Sequence, residues 1–191
     1  QDDHLRESRE IGAQIPILYD FIYPYITKGG KAYNFVSDSY ETVSMEDAEK
    51  IFKSYINLAL SRGIVDCNWP VLESASLVGN TLALNNTAER NFYLQYYLSR
   101  DTTHQDALPK VAAVYKKLGG WPESLNYSSA VTELSTYLMV LLGKFDTTLQ
   151  LGHKYPEVLA AAMQPYYLTY PSNNQKILFG DGHRDDRFYW Y

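Results

Sequence analysis

The chain has 191 residues, of which 46% are hydrophobic and 20% charged, and a net charge of −5. That balance suits one packed domain and excludes a disordered chain, and no basic stripe marks a nucleic-acid partner. No apolar run reaches the roughly 20 residues needed to span a bilayer. The single cysteine, Cys67, leaves no disulfide within the chain. The sequence opens at Gln1 without a Met, which reads as a processed or trimmed product.

Helical spacing dominates from the start. Ile11, Ile15, Leu18, Ile22 and Tyr25 recur at intervals of three and four, predicting a helix over about 3–26 that Pro16 and Pro24 should kink or end. Gly29-Gly30 closes it, and the polar stretch 31–43 reads as a loop. Ser44-Met45-Glu46-Asp47 fits a capping-box start for a helix with Ala48, Ile51, Phe52, Tyr55, Leu58 and Ala59 on one face.

The stretch 68–84 predicts a helix with little charge and with Ala75, Gly79 and Ala83 along it, the composition of an inner helix. Asn86-Thr87-Ala88-Glu89 starts another, carrying Phe92, Tyr96 and Tyr97. "DTTHQDALPK" is a loop and a new start, with Pro109 in a first turn, for a helix reaching Gly119-Gly120. Val131, Leu134, Leu138 and Leu141 mark a further helix, and a last one runs near 155–167. No convincing strand and no fixed repeat appears. The expected fold is all-α, built of antiparallel helical hairpins in an inner and an outer layer, with residues 1–191 as a single domain.

Eighteen tyrosines stand out. A tyrosine has a flat apolar face and a rim hydroxyl, which suits stacking on sugar rings as well as filling helix interfaces. Polar and aromatic residues also gather in three places: Asn68-Trp69 with Glu73, Trp121-Pro122-Glu123 through Asn126-Tyr127, and Phe179-Gly180-Asp181-Gly182-His183-Arg184. Clusters of this kind at helix ends build pockets. Each also has a plain reading: Asn68 as a helix N-cap, Glu73 and Glu123 as first-turn carboxylates, Tyr127 as a packed tyrosine. Histidines 4, 104, 153 and 183 lack zinc-type spacing, and no phosphate loop or nucleophile elbow is present. No metal or cofactor is expected.

In their order, "NWPVLESASLVGNTLAL", "GGWPESLNYSS" and "ILFGDG" resemble the heparinase II/III-like polysaccharide lyases and the related alginate lyases, as does the early helix "IPILYDFIYPYI". The resemblance implies an incomplete (α/α) toroid, followed in a full-length protein by further toroid helices and a β-sandwich. It implies β-elimination on a uronic-acid polysaccharide of the heparan, chondroitin or alginate class, in the periplasm or outside the cell. Asn68 would contact the substrate carboxyl group and Tyr127 would be the acid, or both acid and base. Trp69, Glu73, Trp121, Glu123, His183 and Arg184 would line the substrate. The partner is then an acidic polysaccharide or oligosaccharide, with no nucleic acid and no membrane span, and the isolated chain need not be active. Two other readings stay open: a glycoside hydrolase using two carboxylates drawn from Glu73, Glu123 and Asp181, and a non-catalytic glycan-binding helical domain.

Overall fold

A computed structural model describes residues 11–172, 175, 177, 179 and 180. It is mostly helical, as an all-α chain should be. The chain divides into two compact units, the first ending at Asp106 and the second beginning at Ala107.

The first unit is built around a buried helix. Helix α1 spans Gly12–Ile26, a hairpin of β1 (Lys31–Asn34) and β2 (Ser39–Thr42) follows, and then come α2 (Met45–Arg62), α3 (Trp69–Leu82) and α4 (Thr87–Leu98). Helix α3 packs against α1, α2 and α4. It is buried almost all round, from Pro70 and Val71 through Leu77 and Val78 to Thr81, as its lack of charge predicted.

The capping signals are realised. Ser44 accepts a hydrogen bond from the Asp47 backbone N–H, and the Asp47 carboxylate accepts one from the Ser44 backbone N–H. The Ser44 hydroxyl, which donates to Asp47 Oδ2 at 2.6 Å, together with Lys50 and the Ser44 backbone N–H, holds the Asp47 carboxyl below its ordinary pKa. Asn86 accepts from the backbone N–H groups of Ala88 and Glu89 at the start of α4.

Three expectations need correction. First, α1 does not turn its predicted apolar stripe inward: Ile11, Leu18, Ile22 and Tyr25 are all exposed. The inward stripe is Gly12, Pro16 and Tyr19. A Cβ on Gly12 would collide with Ser76, Pro16 packs on Gly79, and the Tyr19 ring meets Phe52 edge-on at 4.8 Å. Small surfaces on α3 thus let the two backbones approach, and the bulkier aliphatic face is left outside. Pro16 and Pro24 both lie inside the helix and end neither it nor its first turn.

Second, residues 31–43 are not all loop. Lys31 pairs with Thr42 and Tyr33 with Tyr40 in an antiparallel ladder. A lone two-stranded ribbon is marginal. This one is fastened at its root by the Tyr25 hydroxyl, 2.9 Å from both the backbone oxygen and the backbone nitrogen of Lys31, and by Val43 N–H bonding to the Gly30 carbonyl. Edge-on packing of Tyr33 against Phe35 and Tyr40 supports it further.

Third, the last predicted helix is broken. In the second unit, α5 (Leu108–Val114) and α6 (Leu125–Phe145) are followed by a 3-10 turn at Thr147–Leu149 and by α7 (Leu151–Lys154), α8 (Pro156–Ala161) and α9 (Gln164–Tyr167). Pro165 has no N–H to donate to the Ala161 carbonyl, so α8 cannot run on into α9. Helix α6 packs against the 3-10 turn, α7 and α8, through Val131, Leu138 and Leu142. Helix α5 is also shorter than predicted. After it, Gly119 adopts φ 81, and a Cβ there would collide with the backbone of Ala160 and Ala161, so this turn lies flat against α8.

Candidate functional site

In the first unit the candidate residues lie where α2 passes to α3. Gly63 ends α2 in extended backbone and is buried. A side chain there would strike the His104 carbonyl and Glu73 Oε2. Asn68 is half-buried, has helical φ and ψ of −82° and −14°, and makes no side-chain cap hydrogen bond. The capping role open to it from the sequence is therefore not its role. Trp69 opens α3 and is 38% exposed, leaving part of its indole available for stacking. Glu73, one turn on, is 0% exposed. Its carboxylate lies inside the unit, beside Gly63.

The sequence signals passed over what surrounds this segment. His104 Nδ1 is 3.0 Å from the Gly63 carbonyl oxygen. A carbonyl can only accept, so Nδ1 is the donor in this contact. Gln105 is fully buried, and its Nε2 reaches the Pro70 carbonyl at 3.3 Å, Ser74 Oγ at 2.8 Å and the Asp106 carbonyl at 2.9 Å. Asp106 Oδ2 accepts from the backbone N–H of Asp66 at 2.8 Å, and Asp66 holds φ 60. Thr102 Oγ1 accepts from the backbone N–H groups of His104 and Gln105, setting the turn that aims these side chains.

In the second unit two of the sequence clusters meet. Trp121 is buried, packs against Tyr115 at 4.9 Å, and donates its indole N–H to Glu123 Oε2 at 2.6 Å. The ring expected to stack on substrate is thus largely used as packing, and Glu123 is held by its neighbour. Tyr127 sits in the first turn of the long helix α6 and is 46% exposed. The positive end of that helix favours negative charge on groups placed beside it. Gly180, at φ 59, lies against Ser124, so the Phe179-Gly180 stretch folds back on the start of α6. Asp181, His183 and Arg184 lie outside the described residues. Among the described residues no group of three or more His, Cys, Asp or Glu is placed to hold a metal ion, and no helix is long and apolar enough to cross a membrane.

Residues 117–188, the stretch carrying these clusters, match a family described as the second domain of endo-acting ulvan lyases. An endo-acting ulvan lyase of Formosa agariphila is 24% identical over 135 residues, which is 66% of this chain and 16% of that protein. The two matches support a polysaccharide lyase family. Neither names heparan, chondroitin or alginate. The aligned stretch is a small part of the relative's length. No solved structure gives a significant match.

The packing around Tyr115 has a consequence for pH. Tyr115 is buried and its hydroxyl is 3.2 Å from Thr132 Oγ1. Burial pushes its pKa above the ordinary 10.0, with the Thr132 and Ser135 hydroxyls opposing part of the rise. The folded chain therefore holds this proton more tightly than the unfolded chain does. The stability so gained is fully present below about pH 10 and is lost as pH rises through the folded pKa. Alkaline denaturation above about pH 10 should be blunted in Tyr115→Phe, as read by helical circular dichroism against pH. Identical alkaline profiles for the two proteins would refute this account.

Proposed function

We propose that this chain is the helical portion of a polysaccharide lyase that cleaves a uronic-acid polysaccharide by β-elimination. One observation supports it above the rest: the ulvan-lyase match falls on the segment that sets an exposed Tyr127 at the positive end of a long helix. In the reaction the C5 proton leaves to a base. Its electron pair forms the C4–C5 double bond, the C4–O bond breaks, and the departing oxygen takes a proton.

Tyr127 is the proton donor to that oxygen, and Asn68 binds the substrate carboxyl group so that C5–H becomes acidic. Trp69 offers the sugar a stacking face. His183 and Arg184 would add cationic contacts. The helices belong to an (α/α) toroid of heparinase II/III type in an exported protein, and a longer chain would supply further toroid helices and a β-sandwich. Hydrolysis by paired carboxylates is the poorer reading, because Glu73 is buried and Glu123 is engaged by Trp121.

The test is calorimetric binding to uronate oligosaccharides (heparan, chondroitin, alginate and ulvan, with a neutral glucan as control) together with ultraviolet absorbance of the products formed by the longer protein. Elimination leaves an absorbing unsaturated uronate. Binding to one acidic glycan with an absorbing product is the expected result. Cleavage without that absorbance would replace elimination by hydrolysis, and binding with no cleavage would make this a glycan-binding domain.

A further inference from the structure

We infer that His104, Gln105 and Asp106 are positioning residues that together clamp the segment from Gly63 to Pro70 and so fix Asn68 and Trp69. The inference rests on the reading of Asn68 and Trp69 as saccharide-facing.

Each of the three consecutive residues reaches a different backbone group of the same segment. His104 holds its first residue through the Gly63 carbonyl, Asp106 holds its middle through the Asp66 N–H, and Gln105 holds its end through the Pro70 carbonyl. Gln105 also bonds Ser74 Oγ, which itself donates to the Pro70 carbonyl at 2.6 Å, so the first turn of α3 is tied into the same network.

Two features separate this from ordinary loop packing. A fully buried glutamine is costly unless its bonds return the loss, and among the described residues nothing donates to the Oε1 of Gln105. The side chain is kept for its N–H groups, all of which are spent on this segment, on Ser74 and on the Asp106 carbonyl. Asp66 is held in left-handed backbone, a conformation a non-glycine residue keeps only when its surroundings impose it. A substrate-contacting pair on a loop needs such support to stay within a fraction of an ångström of a working geometry.

The test is hydrogen–deuterium exchange across residues 63–70 in the 191-residue chain. The variants are His104→Ala, Gln105→Leu and Asp106→Ala, beside His104→Asn and Asp106→Asn. The first three should speed exchange in 63–70 by about five- to ten-fold with little change in the middle of α3. The asparagine variants should restore protection to within about two-fold, because an amide can still donate to the Gly63 carbonyl or accept from the Asp66 N–H.

Unchanged exchange in 63–70 would overturn the inference. So would an equal rise over the whole first unit, or asparagine variants as damaging as alanine, which would mean that the imidazole or the carboxylate serves some other purpose. No saccharide enters the measurement. A failed clamp and a failed lyase reading therefore give different results: the first shows in exchange, the second in the glycan panel.

Discussion

Replacing Tyr127 with Phe should lower formation of the unsaturated product by about 10²- to 10⁴-fold in the longer protein, the range typical for loss of a positioned proton donor. The side chain is 46% exposed in the first turn of α6, so losing its hydroxyl should leave stability within about 0.5 kcal/mol, as for most surface changes. The benzene ring stays, and with it any stacking on the sugar. The variant therefore separates proton transfer from binding: KM should move little and kcat should collapse. Turnover within a few-fold of the parent protein would remove Tyr127 from the chemistry.

What the sequence disclosed and what it hid divide by range. The caps at Ser44 and Asn86 were legible because a cap is a contact between residues two or three apart. The inner character of α3 was legible because a helix buried on all sides must shed charge everywhere. The clamp was not legible: His104 and Gly63 are 41 residues apart, and nothing in "DTTHQDALPK" says which backbone its polar side chains will reach. The hairpin was missed for another reason. Its strands are exposed nearly throughout, so they carry no apolar alternation to betray a strand. The inward face of α1 was misjudged because a glycine and a proline mark it, and hydrophobicity gives weight to the isoleucines beside them.

The same pairing of short and long range explains why Pro16 is tolerated inside α1, and it carries a large expected effect. A proline has no N–H, so the carbonyl four residues back, that of Gly12, loses its helical donor. Asn80 of α3 replaces it. Its Nδ2 lies 2.8 Å from the Gly12 oxygen, in a site with 0% exposure of the asparagine. The same Nδ2 is 2.8 Å from the Ser76 carbonyl, which fixes the rotamer against its own helix. Among the described residues nothing donates to the Oδ1 of Asn80, and its bonds here are those of its Nδ2.

Asn80→Leu should then destabilise the chain by about 2–3 kcal/mol in urea denaturation, because a buried carbonyl is left with neither water nor a partner. The decisive variant is the double one. Pro16→Ala returns an N–H at the position where the helix would use it, so the Gly12 carbonyl no longer needs Asn80. In that background Asn80→Leu should cost about 1 kcal/mol less than in the parent. The packing of Pro16 on Gly79 is lost equally in both arms of the cycle and cancels. Strict additivity of the two substitutions would mean that the Gly12 carbonyl is satisfied some other way and that Asn80 acts only by filling space.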